Sequence, residues 1–272
     1  MNRPRVSVVR YLNTVPLVWG MLEGQQRGKY DLEFTTPAGC ADAVRARQAD
    51  VGIIPSIEYQ RMDQVEIIPG LSIASKASVK SVMLFSSKPI EQIRKVAMDN
   101  SSRTSIALLT ILLHKFYQQD FDSIPADPDP GKMLEQADAA LVIGDPALTY
   151  QGAAARVYDL ATEWRRFTGL PFVFALWVGH SQAGLAHLRH DFEDSCSYGL
   201  THMDEIAGVY APRYKLAPGQ VKAYLTENID YTLDEENLKG LSLFYKLAQE
   251  SGLISRQKDL RFAEPVRGVV SS

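Results

Sequence analysis

The segment Asp99-Asn-Ser-Ser-Arg-Thr-Ser105 gathers four hydroxyls and a guanidinium between a run of strand character and a long stretch of helical period. At a helix start the first backbone N–H groups lack intrahelical partners and the dipole favours negative charge, so such a turn suits a carboxylate or a phosphate. Each charge-assisted hydrogen bond there contributes about 1.5–3 kcal/mol. Plain N-capping by Ser101 or Ser102, with Arg103 solvated, is the simpler alternative. The density of hydroxyls favours the anion site.

Other polar residues fall where a sheet would present them to a cleft. Asn13 follows the first strand, and Ser81 opens an extended run; taken singly, each also fits a cap or a turn. Ser56, in Ile54-Pro-Ser-Ile-Glu-Tyr59, opens a short helix after a strand and can hold a ligand oxygen or cap that helix. Asp145 ends the apolar run Leu141-Val-Ile-Gly-Asp145, where Gly144 permits close backbone approach by a ligand. Asp145 is equally suited to accept a proton, hold a hydroxyl or cap the helix after Pro146. The histidines form no ligand spacing and no nucleotide-binding or hydrolase signature is present, so no metal site is expected.

The elements that must position these groups follow from length and pattern. A chain of 272 residues with 46% hydrophobic and 22% charged residues has room for two lobes or one large α/β domain. The net charge of −3 gives no basic field for a phosphate backbone, which argues against nucleic acid. No export signal or membrane span is visible near the N-terminus, and Cys40 and Cys196 lack metal or redox spacing; both point to the cytoplasm and to reduced, buried thiols.

Strands are expected at Arg5–Val9, Leu32–Thr36 and Val51–Ile54, alternating with helices at Val15–Gly24 and Cys40–Arg47, an order that implies a mainly parallel sheet. Asn13 or Thr14 is expected to cap the first helix. Extended runs at Leu71–Ala74 and Ser81–Ser86 lead into a second series: strands at Lys95–Met98 and Ala140–Ile143, helices at Thr104–Tyr117, Met133–Ala137 and Ala161–Phe167. The three prolines of Ile124–Gly131 predict a loop. The apolar run Pro171–Val178 is expected to carry the chain back, and everything from Ser181 onward reads as helical, with Gly199 as one stop and Thr232 with Glu235 as a capping box.

The sum is an α/β, two-lobed, periplasmic-binding-protein-like fold (type II) with a ligand cleft between the lobes. Residues 1–86 and 178–272 are expected to form lobe I and residues 87–177 an inserted lobe II, with crossings near Phe85 and Val178.

Seven ordered blocks between about residues 5 and 178 sharpen this reading. Tyr11-Leu-Asn-Thr-Val-Pro16, Asp50–Tyr59, Gly70–Ser75, Ser81-Val-Met-Leu-Phe-Ser86, Val96–Ser105, Ile143-Gly-Asp145 and Thr168–Ala175 together resemble the chorismate dehydratases of the futalosine route to menaquinone. The resemblance implies loss of water from chorismate to give 3-[(1-carboxyvinyl)oxy]benzoate, by a carbon–oxygen lyase that needs no cofactor. It implies a catalytic site at Asn13 and Ser81, and a carboxylate-holding helix start at Ser102, Arg103, Thr104 and Ser105. Ser56 and Gly144 join the expected substrate contacts, and Asp145 the expected catalytic groups. One departure concerns the aim of Ser81: Ala77-Ser78-Val79 stands where the family has Gly-Pro-Val.

A later enzyme of the same route, 1,4-dihydroxy-6-naphthoate synthase, would carry a histidine at Gly144-Asp145. A non-catalytic carrier of a small carboxylate is the alternative from another class. The proton acceptor is either the substrate's enolpyruvyl carboxylate or Asp145, and either substrate carboxylate fits the Ser101–Ser105 turn.

Overall fold

The computed structural model describes residues 3–181 and 184–263. In chain order the strands are β1 (Arg5–Val9), β2 (Asp31–Thr35), β3 (Val51–Pro55), β4 (Val65–Ser75), β5 (Val82–Ser86), β6 (Lys95–Asp99), β7 (Asp122–Ala126), β8 (Ala139–Ile143), β9 (Arg156–Asp159), β10 (Phe172–His180) and β11 (Asp230–Leu233). The α-helices are α1 (Val15–Glu23), α2 (Pro37–Arg45), α3 (Ser56–Gln60), α4 (Arg103–Ile111), α5 (Pro130–Leu134), α6 (Gly144–Thr149), α7 (Leu160–Thr168), α8 (Leu185–Thr201), α9 (Met203–Tyr214), α10 (Pro218–Ala223) and α11 (Glu235–Glu250).

Two mixed sheets result, of order β11-β4-β10-β3-β1-β2 and β7-β6-β8-β5-β9. Each contains a parallel trio, β2-β1-β3 in one and β7-β6-β8 in the other. Each trio is then extended by an antiparallel strand, β10 and β5 respectively. Those two strands are the first that the chain lays down after each crossing between the sheets, so the reversal of direction is the signature of the crossing itself. The central strands β3 and β8 are buried at every position, as expected where both sheet faces are covered.

The crossings fall between Ser75 and Val82 and between Thr168 and Phe172, because β5 pairs wholly within the second sheet and β10 wholly within the first. The expected crossings near Phe85 and Val178 lie inside those strands. The first lobe is built on the six-stranded sheet and the second on the five-stranded sheet.

Several local expectations give way to specific contacts. Residues 122–126 form an edge strand despite Pro125, since only an edge tolerates the missing donor, and Pro130 starts α5 at a position where its N–H is not needed. Neither Asn13 nor Thr14 caps α1: Thr14 Oγ1 donates instead to the carbonyls of Val9 and Tyr11. Helix α8 runs through Gly199, whose missing side chain lets the Pro16 carbonyl approach. Thr232 lies in β11, and α11 is capped by Asp234, which accepts from the Asn237 N–H at 2.9 Å.

Both cysteines are free and buried. No helix among the described residues is long and apolar enough to cross a membrane.

Candidate active site

A cavity lies between the sheets. It is walled by the segments that follow β1, β6 and β8 and by the crossing that precedes β5. Parallel strands end their carboxyl tips at such a crevice, which is where side chains from different strands converge.

The first wall is the turn after β1. Residues Leu12–Thr14 make a single 3-10 turn before α1, and Asn13 projects from it into the cavity. The Leu12 N–H that this tight turn leaves free donates to Asp145 Oδ1 at 2.9 Å. Tyr11 lies with its ring on Gly144, whose φ of +65° and whose lack of a Cβ are both required: a methyl there would sit 2.5 Å from the ring. Burial and the charge of Asp99 push the Tyr11 hydroxyl up to about 12.

The second wall is the crossing. Ser81 is buried at the cavity edge, and its N–H donates to the Val79 carbonyl at 2.7 Å across Lys80, whose φ is +56°. This is a γ-turn of the rarer, strained sort. It is held from outside: the Lys80 N–H and the Ser78 hydroxyl both donate to Asp159 Oδ2, at 2.7 and 2.8 Å. The Ser81 carbonyl accepts from the Gly144 N–H at 2.7 Å. Ser78 thus supplies one of the bonds that fix the aim of Ser81.

The third wall is the start of α4. Asp99 accepts from the N–H and hydroxyl of Ser101, at 2.9 and 2.6 Å, and so takes Ser101 out of the cavity chemistry. Ser102 occupies the N-cap position, yet its hydroxyl caps nothing: it is 2% exposed, lines the cavity and has no partner. Leaving a buried hydroxyl unpaired costs about 1–3 kcal/mol, which a ligand oxygen would recover. Ser105 lines the cavity as well, while Thr104 Oγ1 accepts from the Ile57 N–H at 3.2 Å.

Arg103 lines the cavity, but its guanidinium turns away from it. It bonds both oxygens of Asp42 at 3.0 Å and Glu58 Oε2 at 3.0 Å, joining the second lobe to α2 and α3 of the first. Glu58, 2% exposed, also pairs with Arg61 at 2.8 Å and with Arg45. Burial alone would raise the Glu58 pKa; the hydrogen bonds from Arg61 and Arg45 and the charge of Arg103 outweigh it and hold the carboxyl below its usual range. The positive potential facing the cavity therefore comes from the helix start more than from the arginine.

Two of the expected residues stand behind the wall. Ser56 donates to the Val173 carbonyl at 2.8 Å and does not line the cavity. Asp145 does not line it either: its second oxygen accepts from the Tyr214 hydroxyl at 2.8 Å. Burial raises the Asp145 pKa, opposed by the Leu12 N–H and the Tyr214 hydroxyl. Asn13, Ser81, Ser102, Arg103, Thr104, Ser105 and Gly144 do share the cavity. Sequence reasoning missed Tyr11, Asp159 and Tyr214 as contributors, and only Tyr11, inside a quoted block, carried any signal. Among the described residues no group of His, Cys, Asp and Glu side chains is arranged to hold a metal ion.

Comparison with known proteins adds findings of three kinds. A family model described as menaquinone biosynthesis matches residues 4–250. A chorismate dehydratase of Thermus thermophilus is 27% identical over 268 residues, 89% of this chain and 94% of that protein. One from Campylobacter jejuni is 33% identical over 130 residues, 47% of this chain and 44% of that protein. Among solved structures, protein AF1704 of Archaeoglobus fulgidus superposes with a TM-score of 0.75 at 19% identity, covering 93% of this chain and 98% of its own. The periplasmic aliphatic sulphonate binding protein SsuA of Escherichia coli superposes at 0.65 with 13% identity, covering 99% of each chain. The fold is that of the periplasmic binding proteins.

Proposed function

The chain belongs to the menaquinone biosynthesis family, and from that premise we propose that it is a chorismate dehydratase, a hydro-lyase that removes water from chorismate to form 3-[(1-carboxyvinyl)oxy]benzoate. The observation that carries this reading is the unpartnered Ser102 hydroxyl at the α4 start, in the same cavity as Asn13 and Ser81.

The chemistry asks for little more. The C3 proton of chorismate is γ to the ring carboxylate through a double bond, so its removal gives a dienolate whose charge reaches that carboxylate. In this proposal the ring carboxylate sits at the α4 start, where Ser102, Ser105 and the free backbone N–H groups are donors in place before the charge develops. Expulsion of the C4 hydroxyl then completes a benzene ring, and aromatisation drives the reaction.

The residues lining the cavity include no carboxylate, imidazole or amine among those described. Asp145 has both oxygens engaged by protein donors. We therefore assign the proton acceptor to the substrate's enolpyruvyl carboxylate, which is tethered to C3 through the ether oxygen and the vinyl carbon. The proton passes from that carboxylate to the departing hydroxyl, which leaves as water. Asn13 and Ser81 orient the carboxylate and the hydroxyl; neither is a base without an activating neighbour.

Incubation of the purified protein with chorismate tests the reading. An aromatic product lighter than chorismate by the mass of one water is expected, in proportion to protein concentration and lost in Asn13→Ala. Binding without conversion would make the protein a carrier of small carboxylates. Absence of binding would redirect the search to the naphthoate-forming reaction.

A further inference from the structure

Asp159 is the last residue of β9 and the N-cap of α7, and its two carboxylate oxygens meet four donors. Oδ1 accepts from the N–H groups of Ala161 and Thr162 at 3.0 and 3.1 Å, the ordinary duty of an N-cap. Oδ2 accepts from the Ser78 hydroxyl and the Lys80 N–H, so the same side chain holds the crossing that delivers Ser81. The register explains the meeting. Asp159 pairs with Met83 and the ladder ends there, so the start of α7 lies beside the residues by which the crossing enters β5. Two further bonds grip the crossing, from Thr162 Oγ1 to the Ala77 carbonyl at 3.3 Å and from Asn228 Nδ2 to the Ser78 carbonyl at 2.9 Å.

Resting on the dehydratase reading, we propose that Asp159 is a positioning residue for the reaction: one oxygen anchors α7 and the other holds the turn that aims the Ser81 hydroxyl. Both polar hydrogens of Ser81 go to one acceptor, the Val79 carbonyl, the N–H at 2.7 Å and the hydroxyl at 3.3 Å. The direction of that carbonyl is set by the γ-turn across Lys80, a positive-φ residue that is not glycine and that keeps this conformation only where its surroundings hold it. Oδ2 supplies that hold on both sides of Val79, at Ser78 and at Lys80. A serine or threonine also caps a helix, but it has a single oxygen on a short arm; four donors in two directions require a carboxylate. Asp159 does not line the cavity, so it acts through Ser81 and not on the substrate.

The variant Asp159→Ser keeps the cap of α7 and gives up the reach to the crossing. With chorismate, kcat is expected to fall about 10–100-fold while KM changes less than about threefold, because Ser81 is misaimed and the α4 start is untouched. Combined with Ser81→Ala, the substitution is expected to add little, since the side chain it aims is gone. Wild-type kcat in Asp159→Ser, with or without a lower Tm, overturns the proposal, as does full additivity in the double variant.

A second readout does not depend on the substrate. In Asp159→Ser the backbone amide of Lys80 is expected to exchange its hydrogen with solvent about tenfold faster, while the amides of Ala161 and Thr162 keep their wild-type rates. An unchanged Lys80 rate overturns the proposal. If the wild-type protein does not convert chorismate, the dehydratase reading falls, and the exchange rates still decide whether Asp159 holds the turn before Ser81.

Discussion

Asp145 accepts the Leu12 backbone N–H at 2.9 Å, so a carboxylate from the first turn of α6 in the second lobe fastens the turn that carries Asn13 in the first. The Tyr214 hydroxyl occupies the other oxygen at 2.8 Å. A general base needs a free oxygen facing the proton that it removes, and here both face protein donors.

Asp145→Asn is therefore expected to keep kcat within about fivefold of wild type, since the amide oxygen can still accept from Leu12. A general base would lose about 10²–10⁴-fold. Steady-state kinetics with chorismate separate the two; a loss in the larger range with retained binding would restore Asp145 as the base.

Ser102→Ala is expected to separate stability from affinity. Removing a buried hydroxyl that has no partner should leave stability unchanged or raise it by about 1 kcal/mol, while the ligand loses a donor and its affinity falls about tenfold. Thermal denaturation and calorimetric titration with the benzoate product check both halves. A variant that is destabilised and binds normally would show that the hydroxyl serves the fold.

The ion pairs across the cleft make a pH-dependent clasp. Glu58 and Asp42 both have pKa values below the ordinary range, Glu58 because its arginines outweigh burial and Asp42 chiefly through its hydrogen bond to Arg103. For a carboxyl whose folded pKa is depressed, the contribution is complete above the unfolded value and is lost as pH falls through the folded one. Closure is thus expected to hold at neutral pH and to weaken below about pH 4. Small-angle scattering should show a rising radius of gyration in acid, and Arg103→Ala should show it already at pH 7. An unchanged radius in that variant would locate the clasp elsewhere.

Gly144→Ala should be costly for two reasons that add. Alanine is strained at a φ of +65°, and its methyl would meet the Tyr11 ring at 2.5 Å. A loss of about 2–4 kcal/mol is expected, seen as a Tm lower by several degrees, together with reduced turnover as Tyr11 and Asn13 shift. A variant with wild-type Tm would mean that the Tyr11 ring moves freely.

What was legible in the chain is what is local. Continuous apolar runs revealed β3 and β8, and the hydroxyl-rich Ser101–Ser105 turn pointed to the α4 start, because a strand's burial and a helix's first turn are written in neighbouring residues. The partners of Arg103 were not legible: Asp42 and Glu58 lie in other helices, and nothing near Arg103 marks it as a bridge and not a ligand. Tyr214 looks like an ordinary aromatic in a helical stretch, since its hydroxyl meets a partner brought by a distant element. Thr232 and Glu235 mimic a capping box, but pairing of β11 with β4 draws Thr232 into the sheet and leaves Asp234 at the helix start.

Ser81 is the last residue before β5 and so belongs to the very strand of chain on which one lobe turns against the other. Any rotation that parts the lobes carries Ser81 relative to Asn13, and the pair is dismantled by the same movement that lets the product out. Under the proposed function the catalyst is thus an assembled state and not a standing feature of the surface: it exists while the substrate is sequestered and ceases to exist when solvent enters. Each turnover must rebuild it, which ties the frequency of reaction to the frequency of closure.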